Sequence, residues 1–266
     1  MNPQAKLRTD LETAGLSSGP GSSAGVVSAA DIVSLPTPVQ RYMRFMRVIG
    51  SPRVWSFRVG WTGRFRRGPH EPWRSIEAWQ YDTSVEIARM FYMRIRFFGA
   101  PVLGRDTYIR GAGRMLIRPF DLLTAQDATG AELDIGELVT FLNDAIFFAP
   151  SMLLGPAVSW HAVGDDAFDV SLTDGGRTVT ARVSLDGRGA PRDFETTDRF
   201  LEDPRDPKHP LIRGRWTTPV DGWQEVDGRP ALASGKAIWH LPGLEFAYAE
   251  MSIVPGSLAF NVPPRS

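Results

Sequence analysis

Most of the chain alternates apolar and polar residues with a period of two, the mark of half-buried strands. Phe57, Val59, Trp61 and Phe65 alternate with Arg58, Thr62, Arg64 and Arg66. Residues 73–81 predict a second strand, and Met93, Ile95 and Phe97, set around Arg94 and Arg96, a third. Residues 102–110 and 114–119 predict a hairpin around Gly111-Ala112-Gly113. The most regular pattern follows later. Phe168, Val170 and Leu172 precede Asp174-Gly175-Gly176, after which Val179, Ala181, Val183 and Leu185 alternate with polar residues. Further strands are expected over 191–201, 212–220, 231–240 and 245–254.

The period changes twice. Val39, Tyr42, Met43 and Met46 recur at three and four residues after Pro36 and Pro38, predicting a short helix to about Val48. Ile135, Leu138, Val139, Leu142, Ala145, Ile146 and Ala149 form a second helical stripe, with Phe141, Phe147 and Phe148 widening it. Asp134 and Glu137 resemble a capping box at its start, and Pro150 should close it. The expectation is an α+β chain, mostly β. One large curled antiparallel sheet of about nine to eleven strands, a half-barrel, takes one or two helices into its concave face. A cleft between sheet and helix is the natural ligand site.

Composition bounds this picture. A chain of 266 residues with 42% hydrophobic content can bury a sizeable core. The Gly-, Ser- and Ala-rich tract after Gly15 reads as flexible, so a leader over 1–30 and a single half-barrel domain over 31–266 are expected. Pro204 to Pro210 reads as a long polar loop. No secretory signal or long apolar stretch is found, which makes the expected location cytoplasmic with no integral membrane segment. Cysteine is absent, which excludes disulfides and thiolate chemistry.

The balanced formal charge conceals a pattern. Residues 41–118 hold 16 arginines and 5 acids, whereas 119–209 hold 17 acids and 7 bases. The alternation puts the arginines on the sheet face opposite the core. They either pair with the acids across strands or form a basic surface for an anionic ligand, a membrane or a partner. The bases are not gathered on a reading helix, so no nucleic-acid partner is expected.

Candidate chemistry is sparse. His70, His161, His209 and His240 lack metal-ligand spacing, and no metal or cofactor is expected. No Gly-x-Ser-x-Gly elbow is present, and Gly111-Ala112-Gly113-Arg114 reads as a turn, not a phosphate loop. The candidate acid–base residues are Asp106 and Tyr108, which share one strand face, and Asp144, set among Phe141, Phe147 and Phe148. The alternative is that Asp106 pairs with an arginine on a neighbouring strand and that Asp144 caps the helix or faces solvent. Candidate ligand-binding residues are Trp79, Tyr81, Arg105, Phe141, Phe148, Trp160 and Trp239.

A set of local runs resembles a known group. These are Trp79-Gln80-Tyr81, Gly104-Arg105-Asp106-Thr107-Tyr108 and Gly111-Ala112-Gly113-Arg114-Met115. Residues 136–144, Pro150-Ser151-Met152-Leu153-Leu154 and Val158-Ser159-Trp160 follow, then the late Trp216, Trp239 and Tyr248. Their order resembles a widespread bacterial family of unknown function. Asp144 and Phe147 stand where that family carries an acid and a tryptophan. The family is similar in fold to the lipoprotein-carrier (LolA-like) half-barrels. That resemblance implies binding of a hydrophobic or amphipathic small molecule. A cofactor-independent cyclase, isomerase or hydrolase in the same cavity is the alternative. The oligomeric state is left open.

Overall fold

The computed structural model describes residues 2–20, 25–97 and 99–264. Alternation builds strands where it was expected. β1 (Ser56–Phe65), β2 (Arg74–Thr83), β3 (Ala88–Phe97), β4 (Ala100–Ile109) and β5 (Ala112–Pro119) form a meander, extended by the short β6 (Gln126–Thr129). After the helical segment come β7 (Val158–Ala162), β8 (Ala167–Asp174), β9 (Arg177–Leu185), β10 (Pro191–Glu202) and β11 (Leu211–Thr217). β12 (Val220–Val226), β13 (Arg229–Leu241), β14 (Leu244–Ile253) and β15 (Ala259–Phe260) complete the set. All belong to one antiparallel sheet in the order β6-β5-β4-β3-β2-β1-β14-β13-β11-β10-β9-β8-β7, with β12 on β13 and β15 on β1. The strands beyond the expected number include the short β6, β7 and β15, too brief for alternation to mark them.

The β8–β9 hairpin shows why the pattern works. Phe168, Val170, Leu172, Val179, Ala181, Val183 and Leu185 are all buried on one face. On the other, residues directly opposite in register pair by chemistry: Asp169 with Arg182, Ser171 with Thr180, Thr173 with Thr178. Gly175 and Gly176 take φ of 55° and 76°, as a tight two-residue turn demands.

Three α-helices are found among the described residues. α2 (Thr37–Phe45) buries Val39, Tyr42 and Met43, and the Tyr42 hydroxyl donates to the Ile146 carbonyl at 2.9 Å. α3 (Ala131–Phe148) packs against β3, β4 and β5 on one arm of the sheet and β8, β9, β10 and β13 on the other, so the sheet curls around it. The expected capping box is corrected. The helix begins at Ala131 after Gly130, and both acids are used elsewhere. Asp134 accepts from the Gly113 backbone N–H at 2.7 Å and pairs with Arg177 at 2.6 Å, while Glu137 is drawn to Arg89.

The segment expected as a leader over 1–30 contains a packed helix. α1 (Pro3–Thr13) is capped by the Asn2 side chain and started by Pro3. Leu7 and Leu11, four residues apart, share a helix face, and Leu16 joins them in a buried cluster with Tyr81, Ala88, Met90 and Tyr92 on the convex face of the sheet. The Tyr92 hydroxyl donates to Asp10 at 2.7 Å. Residues 21–24 of the tract lie outside the described residues. Two leucines with a waiting aromatic partner suffice to place α1, and further along Val27 is buried in the main core.

The basic and acidic segments pair. Arg41 meets Asp166, Arg67 meets Glu202, Arg105 meets Asp121 and Arg114 meets Asp127. Not every arginine faces away from the core, however. Arg89 and Arg199 point into the concave side.

Candidate functional site

Between the sheet and α3 lies a cavity of about 480 Å³. Its two ends differ. Phe65, Ile76, Ile95, Val102, Ile117 and Pro119 line the end away from the helix. Those residues sit at the C-terminal ends of β1, β3 and β5 and the N-terminal ends of β2 and β4, so antiparallel pairing gathers them at one rim. Gln80, Arg89, Asp106, Thr140, Asn143, Asp144 and Arg199 line the floor against α3. Trp61, Phe147, Trp216 and Tyr248 add aromatic wall.

The floor is a buried ionic network. The Arg89 guanidinium donates through Nε to Asp144 at 2.8 Å, and through Nη1 to Asp106 at 3.3 Å and Glu137 at 3.1 Å. Gln80 donates to Asp82 at 2.9 Å and to Asp144 at 2.7 Å, and accepts from the Trp61 indole at 2.9 Å. The side chains of Arg89, Asp106, Glu137 and Asp144 are each no more than 10% exposed. Across the floor, Arg199 donates to the Thr140 hydroxyl and lies 4.3 Å from the Trp216 ring centre. Asn143 donates to Thr218 at 2.6 Å.

Burial sets the protonation of this network. It pushes Asp82 well above the ordinary carboxylate range, and the negative charge of Asp144 pushes further. Burial, then the charge of Asp106, does the same for Glu137. Burial also raises Asp144, against the pull of Arg89. Burial works against the charge on Arg89, but the fields of Asp144, Asp106, Glu137 and Asp82 outweigh it and keep the guanidinium protonated.

Of the ten candidate residues, Asp106 and Asp144 line the cavity, and both pair with Arg89. Asp106 thus has its neighbouring-strand arginine, while Asp144 neither caps the helix nor faces solvent. Tyr108 shares the inward face with Asp106, but it is fully buried beyond the floor and donates to Asp174 at 2.7 Å. Phe141 and Phe148 are core residues, Phe148 packing 5.3 Å from Phe57 and 5.6 Å from Trp61 between ring centres. Trp239 stacks behind Tyr248 at 6.1 Å, and Trp160 packs on Phe168 at 5.5 Å. Trp79, Tyr81 and Arg105 point to the convex face. Trp79 and Tyr81 pack in or on the α1 cluster, and Arg105 pairs with Asp121 at 2.6 Å.

The wall residues Gln80, Arg89 and Arg199 escaped the sequence reading for different reasons. Gln80 lies one position from two aromatic candidates and therefore on the opposite face. Arg89 falls in step with Phe91, Met93 and Ile95, the inward set of β3, and that parity was the available signal. Arg199 is turned inward by a register shift between Thr196 and Arg199, which alternation cannot foresee.

Among the described residues no group of three or more His, Asp or Glu is arranged to hold a metal ion. No described helix is long and apolar enough to cross a membrane. Among solved structures, the chain is similar to a putative outer membrane lipoprotein-sorting protein domain from Vibrio parahaemolyticus, at 11% identity and TM-score 0.40 over 77% of this chain and 85% of that one. It is also similar to a DUF1329 family protein from Desulfovibrio piger, at 13% identity and TM-score 0.42 over 85% and 94%. A LolA superfamily protein from Nitrosomonas europaea gives 11% identity and TM-score 0.42 over 84% and 93%. No curated protein matches the chain. The model of the family of unknown function DUF6544 matches residues 25–251, and the chain belongs to that family.

Proposed function

We propose that this protein binds an amphipathic small molecule in the cavity between sheet and α3, its apolar part among the rim side chains and its polar end at the floor. The observation that carries this reading is the division of one cavity into an apolar rim and a hydrogen-bonding floor. A volume of about 480 Å³ falls in the range of small-molecule sites, which are mostly apolar with a few placed polar groups. Thr140, Asn143 and Arg199 supply donors and acceptors on α3 and β10. The enzyme alternative requires a cavity carboxyl free of ion pairing. Asp106 and Asp144 both bond Arg89, so the geometry favours binding over proton transfer.

Titration with a fluorescent fatty acid, alongside native mass spectrometry of the chain purified from its own host, tests the reading. Saturable uptake is expected, and Ile117→Trp, which fills the rim, should abolish it without loss of fold. Uptake unchanged by Ile117→Trp, or none at all with no retained small molecule, would overturn the assignment.

A further inference from the structure

Three large apolar side chains stand in water beside the cavity. β5 ends at Pro119, which lines the rim, and the chain turns at once. Phe120, Leu122 and Leu123 are 55%, 76% and 68% exposed. The turn is held firmly. The backbone N–H groups of Leu122 and Leu123 both donate to the Pro119 carbonyl, at 3.1 and 3.4 Å, and that of Phe120 donates to Pro101 at 3.1 Å. Asp121 pairs with Arg105 at 2.6 Å and Arg118 at 3.6 Å. Phe120 and Asp121 take φ of 53° and 56°, a left-handed conformation uncommon for such residues. The apolar side chains are therefore presented outward by a fixed scaffold. Single exposed leucines need no explanation, but three large apolar residues within four positions, next to an apolar cavity, do.

The chemistry around the turn selects its partner. Arg96 lies opposite Pro101 in register, and the Pro101 carbonyl holds Phe120, so Arg96 sits beside the turn. It is exposed, and no carboxylate pairs with it among the described residues. Arg67, also lining the cavity, pairs at 3.5 Å with Glu202 but keeps a side chain 62% exposed. The one acid within the turn, Asp121, is neutralised by two arginines. A stable protein interface takes about 800 Å² from each partner, more than three side chains on one turn supply. A bilayer needs only shallow insertion of apolar side chains, strengthened by basic residues against anionic headgroups.

We propose that the 119–123 turn docks the cavity rim onto an anionic lipid bilayer. Phe120, Leu122 and Leu123 enter the acyl boundary, and Arg96 and Arg67 meet headgroup phosphates. The proposal extends the cavity reading by naming the surface from which an amphipathic ligand is drawn, and the docking itself does not require an occupied cavity.

Flotation of the full chain with vesicles tests it, using phosphatidylcholine alone and phosphatidylcholine mixed with phosphatidylglycerol. The chain should float with the mixed vesicles and much less with phosphatidylcholine alone. Leu122→Ser combined with Leu123→Ser should lower the bound fraction roughly tenfold or more, as the loss of two inserted leucines implies. Fatty-acid uptake in solution should be unchanged by that variant, which separates failure of docking from failure of the cavity reading. Leu122→Asp alone serves if the double variant alters the thermal melt. Failure of the unaltered chain to float, flotation that survives both variants, or equal flotation with the two vesicle types overturns the proposal.

Discussion

The hydroxyl of Tyr108 donates to the carboxylate of Asp174 at 2.7 Å, joining the β4–β5 arm of the sheet to the β8–β9 arm. Nothing in the strand order pairs these arms directly. They meet at their hairpin tips, where Arg177 also donates to the Gly111 carbonyl at 3.2 Å and pairs with Asp134. Burial, then the bond to Asp174, pushes the Tyr108 pKa up, so the phenol stays a donor. This residue fastens the curl and has no part in the cavity.

Tyr108→Phe should therefore cost about 1–2 kcal/mol of stability and leave fatty-acid uptake unchanged. Gly175→Ala should cost more, because a Cβ there would lie 2.8 Å from the Gly111 Cα and φ is 55°. Urea denaturation of the two variants checks both the order and the sparing of uptake.

Arg89→Met should be far more damaging. It leaves Asp106, Glu137 and Asp144 buried without their shared cation, for a loss of about 3–5 kcal/mol at neutral pH. Part of that loss should return in acid as the carboxyls take up protons. Arg89→Lys should not restore stability, since a point charge cannot satisfy three carboxyls around a planar fork. Denaturation at neutral and acidic pH distinguishes these outcomes.

Asp82→Asn is expected to stabilise the protein at alkaline pH. In the unfolded chain Asp82 loses its proton near 3.8, but in the fold it holds that proton to higher pH. Between those values the folded state binds more protons, so this group's contribution is full in acid and is lost as pH rises. Its Oδ2 has no hydrogen-bond partner, while Oδ1 accepts from Gln80, a bond that asparagine keeps. Melting temperatures from about pH 4 to pH 8 should fall less steeply for the variant than for the parent.

Gly104→Ala should weaken uptake several-fold with a modest loss of stability. A Cβ on Gly104 would come within 2.8 Å of the Met93 side chain, and both residues line the cavity. The flexible thioether yields by moving into the open volume. A shift in the fatty-acid titration midpoint without a matching shift in the melt is the expected result.

Leu11→Ala should cost about 2–3 kcal/mol, as a buried leucine does elsewhere in a core. A freely moving leader would give no measurable change in the melt.

Much of the sheet was legible because strands such as β8 and β9 bury one face and a one-residue slip would expose it. The β8–β9 hairpin follows directly from that rule, whereas α3 is buried all round from Gly136 to Phe148, so its apolar stripe marked only part of what it packs against. The site was less legible. Candidate wall residues were chosen for aromatic character, but Trp79 and Tyr81 belong to the convex face, where α1 makes use of them. The inward positions of β2 and β3 carry Gln80 and Arg89, polar residues that look like solvent-facing ones until α3 covers them. Asp106 was a candidate for the strand face it shares with Tyr108, and Asp144 for its phenylalanine neighbours; both line the cavity. Their engagement with Arg89 depends on how α3 lies across β3 and β4, which no local pattern encodes.

A sheet that curls without closing keeps two unpaired margins, and unpaired backbone invites other chains to add strands. Here the strands at the two ends of the path, β6 and β7, have 4 and 5 residues. β6 exposes Gln126, Asp127 and Thr129, and β7 exposes Ser159 and His161. Neither offers a long, flat, greasy template. At these two ends the sheet can thus stay open while remaining a poor seed for its own aggregation.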